Sequence, residues 1–251
     1  MFFVTGTDTD SGKTLVSSAL LTAVNRLGAI ASADSAVSIL ASNTLSTLGV
    51  KPIASGCAQT SEGLRNADAL QLMTSSSLKL AYSAINPFTF EPAIAPHIAA
   101  AQVGVGLAPE VIIESLDLAA FAQADFCLIE GAGGWRLPLG DGRYLSEVVQ
   151  KLELPVILVV GMKLGCLNHA LLTQEAILAD GLKIAGWVAN CVDPNMRMFA
   201  ENLANLKEMM SAPFLGCVPF LDDPSAENAA DYLDTSPLFQ SAEANTQPVP
   251  N

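Results

Sequence analysis

Gly6-Thr7-Asp8-Thr9-Asp10-Ser11-Gly12-Lys13-Thr14 is the stretch whose residue types and spacing point most directly to chemistry. It follows the apolar run Phe2-Phe3-Val4 and precedes Leu15 to Leu21, whose apolar spacing is helical. Strand, glycine-bearing loop and helix form the context in which Gly-Lys-Thr acts as a phosphate loop. The loop's backbone N–H groups and the helix start present partial positive charge to phosphate. Lys13 would add a full charge against the β- and γ-phosphates, and the Thr14 hydroxyl is suited to Mg²⁺. Five residues separate Gly6 from Gly12, so Thr7 stands where the first glycine of the usual spacing is expected. A strand–turn–helix with a merely solvated lysine is the bland alternative. Motif and context together favour nucleotide phosphate.

Other side chains fit the same chemistry without settling it. Glu130 follows a buried strand and precedes glycines, which suits a metal-binding carboxylate facing the phosphate loop. Asp68 lies near a helix start, where it is either a second metal ligand or a charge favoured by the helix dipole. Mg²⁺ takes one or two carboxylates together with phosphate oxygens and waters, so Thr14, Asp68 and Glu130 would complement ATP. Lys51 precedes Pro52, which biases it to extended backbone. It is either a ligand-facing lysine at a strand end or a solvated edge residue. His97 and His169 lack metal-type spacing and read as structural. Cys166, in a Gly-Cys-Leu-Asn-His run opening a helix, is either a thiol of lowered pKa or part of an anion site of backbone N–H groups. The second reading is preferred, because no catalytic base is paired with the sulfur.

Positioning these groups requires strands at 2–5, 126–129, 155–161 and 184–190, with a short strand end at 50–53 and a final short strand or turn at 215–219. Helices are expected over 14–27 (ended by Gly28), 64–74, 109–122, 144–151, 168–179 and 197–210. Pro87, Pro92 and Pro96 mark a loop carrying His97. Residues 31–48, rich in Ala and Ser, read as a peripheral insertion. The polar stretch from Thr235 reads as a poorly ordered tail. Strands alternating with helices give an α/β fold, a doubly wound and mostly parallel sheet in one domain over 1–234. Ligands of such sheets bind at the carboxyl ends of the strands, where the candidate residues fall.

The chain has 251 residues, about half of them apolar, and a formal charge of −13. That balance argues against non-specific nucleic-acid binding and docking on anionic lipid. Five scattered cysteines without a Cys-x-x-Cys pair suggest neither a disulfide framework nor zinc, and fit a reducing cytoplasm. The longest apolar runs are too short to span a bilayer, and the phosphate-loop strand starts at once, leaving no room for a signal peptide.

Taken together, the phosphate loop, Lys51-Pro52-Ile53-Ala54-Ser55-Gly56, Glu62-Gly63-Leu64-Arg65-Asn66-Ala67-Asp68-Ala69, Asn86-Pro87-Phe88, Pro96-His97, Glu130-Gly131-Ala132-Gly133-Gly134-Trp135 and Leu164-Gly165-Cys166-Leu167-Asn168-His169 resemble the dethiobiotin synthetases. The blocks are collinear from residue 2 to about 232, and the longer phosphate loop is that family's own variant. The resemblance implies a P-loop nucleotide hydrolase type of fold and ATP-dependent closure of a ureido ring from 7,8-diaminononanoate and CO₂. It implies a nucleotide site of Asp10, Ser11, Gly12, Lys13, Thr14, Leu15, Asp68, Glu130, Gly131, Ala132 and Gly133. Asn190, Cys191, Pro219, Phe220, Leu221 and Glu227 match its adenine-side positions. Thr14, Asp68 and Glu130 would hold Mg²⁺, while Lys13 and Lys51 would act on the reacting groups. Thr9 and Ser55 would meet the substrate nitrogens. Gly165, Cys166, Leu167 and Asn168 would meet the substrate carboxylate from a partner subunit, which implies a homodimer.

The sequence departs from that family's pattern in three places. Residues 31–48 exceed the usual link before the lysine strand, Cys191 stands where some members carry Asp, and the last twenty residues have no counterpart. A regulatory or partitioning ATPase on the same sheet is a rival, as is an inactive synthetase-like binding protein. The first usually carries an additional lysine early in its phosphate loop, and residues 6–11 have none. Against the second stand the intact Lys13, Thr14, Lys51, Asp68 and Glu130.

Overall fold

The computed structural model describes residues 1–33 and 45–243. Five of its strands carry the sheet's centre and one edge: β1 (Phe2–Gly6), β7 (Phe126–Gly134), β10 (Val156–Met162), β11 (Ile184–Cys191) and β12 (Phe214–Val218). With β2 (Thr47–Val50) they form a six-stranded, all-parallel sheet in the order β12-β11-β10-β1-β7-β2. The fold is therefore the doubly wound α/β sheet expected from the sequence. The phosphate-loop strand β1 sits inside it, flanked by β10 and β7.

Alternation of side chains along each strand explains why both faces are covered. Val4, Leu128, Ile157, Val159 and Val188 face one side, against Val16, Leu20, Leu21 and Val24 of α1 (Lys13–Ala33). Phe3, Ile129, Leu158 and Val160 face the other. That second core is closed by α4 (Pro96–Gln102), α5 (Pro109–Ser115), α7 (Ser146–Lys151), α8 (Cys166–Ala179) and α9 (Phe199–Met209). Every residue of β10 is buried, as its unbroken branched sequence requires.

Among the described residues, three two-stranded sheets accompany the main one. They are β3 (Ile53–Ser55) paired with β6 (Phe88–Phe90), β4 (Ala58–Thr60) with β5 (Gly63–Arg65), and β8 (Pro138–Gly140) with β9 (Arg143–Tyr144). Strand β3 contributes Ala54 and Ser55 to the crevice described below. Helices α2 (Ala67–Ser75), α3 (Tyr82–Ile85), α6 (Leu118–Phe121), α10 (Ala226–Ala230) and α11 (Ser236–Glu243) complete the described chain. No helix among the described residues is long and apolar enough to cross a membrane.

Several boundaries differ from expectation. Helix α1 runs through Gly28 instead of ending there. The single helix expected over 109–122 is two, because Asp117 turns the chain and caps α6 by accepting from the Ala120 N–H at 3.0 Å. His97 lies on α4 and not in a loop, because Pro96 occupies the first helical turn, where its missing N–H costs nothing. Residues expected in a disordered tail form α11, whose Leu238 is buried and whose Phe239 ring lies 5.9 Å from that of Phe126. The insertion assigned to 31–48 overlaps the end of α1 and the start of β2. Its remainder, 34–44, and the tail beyond Glu243 lie outside the described residues.

Candidate active site

A cleft of about 920 Å³ opens at the carboxyl ends of β1, β2 and β7. Thr9, Asp10, Gly12, Lys13, Thr14 and Leu15 form one wall, and Lys51, Ser55 and Asp68 form the opposite one. Ala132, Gly133 and Leu137 close one end, and Ala93 to Pro96 the rim.

The phosphate loop is held from beneath. Asn190, 4 % exposed, donates from Nδ2 to the Ser11 carbonyl at 3.0 Å. Gly12 has φ +84°, and a Cβ there would lie 2.0 Å from Asn190 Nδ2. Only glycine satisfies both the backbone and the contact. Lys13 folds back to donate to the Asp8 carbonyl at 3.0 Å. Burial, and then the neighbouring Lys51 ammonium, lower the Lys13 pKa to about 8. An arriving phosphate would relieve both penalties.

Across the cleft, Lys51 is buried and donates to Glu130 Oε1 at 2.7 Å and to the Gly131 carbonyl at 3.1 Å. Asp68 Oδ2 stands 3.2 Å from the same ammonium. Burial opposes the Lys51 charge, but the Glu130 and Asp68 carboxylates outweigh it and hold the pKa above the ordinary lysine value. Thr14 donates from Oγ1 to Glu130 Oε1 at 2.8 Å. Glu130 thus joins the phosphate loop to the lysine wall through one oxygen. Its other oxygen, Oε2, is buried without a hydrogen-bond partner. An orphaned carboxylate oxygen beside a hydroxyl and a second carboxylate fits a hard divalent cation. No group of three or more His, Cys, Asp or Glu side chains among the described residues could hold a metal, so such an ion would need oxygens from a bound phosphate.

Not every residue suggested by the sequence reaches this cleft. Thr9, Asp10, Gly12, Lys13, Thr14, Leu15, Lys51, Ser55, Asp68, Ala132 and Gly133 line it. Glu130, Ser11 and Gly131 are outside the lining: Glu130 reaches it through Thr14 and Lys51, and the Ser11 and Gly131 carbonyls accept from Asn190 and Lys51. Asn190 serves as a strut for the loop. Cys191, Pro219, Phe220, Leu221 and Glu227 lie outside the lining. So do Gly165, Cys166, Leu167 and Asn168 at the start of α8, where Leu164 is 96 % exposed and Cys166 is buried.

Sequence reasoning gave no role to Tyr82, Asn86, Leu137 or Lys163. Lys163 pairs with Asp8 Oδ2 at 3.0 Å, and this contact, ahead of the opposing cost of burial, holds the Asp8 carboxyl below its usual range. An Asp early in the loop facing a Lys after β10 was the available signal for that pair.

A family profile described as an AAA domain matches residues 1–228. The ATP-dependent dethiobiotin synthetase BioD of Pseudomonas aeruginosa (strain UCBPP-PA14) is 50 % identical over 237 residues, covering 94 % of this chain and 97 % of that one. The enzyme of the same name from Cellvibrio japonicus is 49 % identical over 238 residues, covering 95 % and 97 %. Among solved structures, the MinD cell division protein of Aquifex aeolicus superposes with a TM-score of 0.53 at 11 % identity, covering 99 % of each chain. A ParA family ATPase from Chlorobium tepidum gives 0.50 at 14 %, covering 96 % and 92 %. These likenesses show a shared fold alone.

Proposed function

The chain belongs to the ATP-dependent dethiobiotin synthetases, and on that premise we propose how its cleft closes the ureido ring. The activity joins 7,8-diaminononanoate and CO₂ at the expense of ATP, giving dethiobiotin, ADP and phosphate. One amine adds to CO₂ and loses a proton, forming a carbamate. A carbamate oxygen attacks the γ-phosphorus and ADP leaves. The second amine then attacks the carbamoyl carbon and expels phosphate. No covalent protein intermediate is required, so positioning and charge neutralisation carry the rate.

Lys13 and the loop N–H groups bind the β- and γ-phosphates. Lys51 holds the carbamate against the transferring phosphoryl, and Thr9 and Ser55 orient the substrate nitrogens. Thr14, Asp68 and Glu130 would hold Mg²⁺, which supplies charge neutralisation on the phosphates. Asn190, Cys191, Pro219, Phe220, Leu221 and Glu227 lie toward the adenine. Gly165, Cys166, Leu167 and Asn168 of the partner subunit receive the substrate carboxylate, so the working unit is a homodimer. The exposed Leu164 and the half-exposed Leu172 on α8 support an interface there. The chain works in the cytoplasm, which its unpaired cysteines support.

The observation that carries this reading is the placement of Lys51. It is a buried ammonium held by Glu130 and Asp68 and lining the same cleft as Lys13 and Ser55. The test is phosphate release from ATP by purified protein. Release should occur only when diaminononanoate and bicarbonate are both present. Release with either omitted would contradict the mechanism.

A further inference from the structure

We propose that Tyr82 is a positioning residue for ring closure, the centre of a hydrogen-bonded ring that fixes Lys51 relative to Asp68. The ring starts at the Lys51 main chain. Its carbonyl accepts from Asn86 Nδ2 at 2.6 Å, and its N–H donates to the Ile85 carbonyl at 2.9 Å. Asn86 Oδ1 accepts from the Tyr82 hydroxyl at 2.8 Å. The same hydroxyl oxygen accepts from the Asn66 N–H at 2.7 Å. Asn66 caps α2, its Oδ1 accepting from the Ala69 N–H at 3.2 Å. Asp68 stands in the first turn of that helix and closes the ring on Lys51 Nζ at 3.2 Å.

Each link has a definite polarity. Asn86 is buried and uses its amide as donor to Lys51 and its oxygen as acceptor from Tyr82. Tyr82 must therefore stay protonated. Burial, the largest influence on it, raises its pKa above the ordinary phenol value and keeps the hydroxyl a donor. The Arg65 guanidinium lies 4.2 Å from the centre of the Tyr82 ring and holds its face. No member of the ring except Lys51, Asp68 and Asn66 lines the cleft. Tyr82 and Asn86 act through others, setting the distance between an ammonium and a carboxylate on two separate elements.

This inference rests on the reading that Lys51 and Asp68 serve the reaction. Its test therefore includes Lys51→Met as a control. Tyr82→Phe removes one oxygen and preserves the ring. Loss of such a supporting contact should lower turnover about 10- to 100-fold, with the KM for ATP nearly unchanged. In an Asp68→Asn background the same change should cost no more than about twofold further, because coupled residues are not additive. Thermal unfolding of each variant separates this from a general loss of stability, which would not distinguish the two backgrounds. Asn86→Ala breaks the ring at its next member and carries the same expectation should Tyr82→Phe fold poorly. Normal turnover in Tyr82→Phe, or losses that multiply fully with Asp68→Asn, would overturn the proposal. If Lys51→Met also turned over normally, the reading of the site itself would fail.

Discussion

The cleft and the start of α8, the two regions proposed to meet anions, are built in opposite ways. In the cleft, Lys13, Lys51, Asp68 and Glu130 are tied within the subunit. Glu130 bridges Thr14 and Lys51, Asp68 meets Lys51, and Asn190 braces the loop. At the start of α8 there is no side-chain cap on the helix, and Gly165 adopts φ +96° with open space around it. Leu164 points into solvent and Asn168 is exposed. Free helix N–H groups attract an anion, but this turn lies outside the cleft that holds the lysines. Under the mechanism proposed above, the difference has a purpose: the phosphoryl-transfer groups are preorganised within one chain, and the proposed homodimer would bring the substrate-carboxylate end from a second copy.

The sharpest way to break this comparison is to remove the charge that organises the cleft. Glu130→Gln leaves the buried Lys51 with Asp68 as its one carboxylate partner. Breaking a buried pair costs about 3–5 kcal/mol, so denaturant unfolding should show a large loss alongside lost Mg²⁺-dependent turnover. Unchanged stability would mean that Glu130 is not the cleft's keystone. Lys51→Met should follow in size: turnover lower by about 10²–10³, as for loss of a group that counters transition-state charge. ATP affinity should change much less. Parallel loss of both would assign Lys51 to nucleotide binding instead.

Asp68→Asn should be milder in stability, below about 1 kcal/mol, because that side chain is half exposed. Its effect should fall on Mg²⁺ dependence. On the other side of the comparison, Leu164→Asp should leave the unfolding of the subunit nearly unchanged and abolish dimer formation in sedimentation. A dimer that survives this change would place the interface elsewhere.

The parts of this architecture that sequence reveals are those fixed by local pattern. The branched run of β10 and the strand–loop–helix around Lys13 declare themselves, because periodicity and glycine spacing are local. Pro96 and Asp117 misled in opposite directions. A proline was read as a break where it starts α4, and an aspartate inside an apparent helix turned out to cap a new one. Gly28 ends nothing, since tertiary packing of α1 on the sheet outweighs a cost of about 1 kcal/mol. The strut from Asn190 to Ser11 spans 179 positions and the bridge from Glu130 to Thr14 spans 116. Only the folded sheet brings such pairs together. Tyr82 carried no motif, and Asn86 stood in a motif block without a role: their meaning lies in what they hold.

Whether the two regions belong to one site in different subunits is tested most directly by complementation. Lys51→Met and Asn168→Ala are purified separately, each with little activity, then mixed, dissociated and reassociated. If Asn168 acts across the interface, a hybrid dimer contains one cleft with an intact Lys51 facing the partner's intact turn. Random reassociation of a two-fold dimer then restores about a quarter of wild-type turnover. Recovery near that level is the result expected here. If exchange is verified and no activity returns, the turn serves its own subunit's cleft or none, and the split site is wrong.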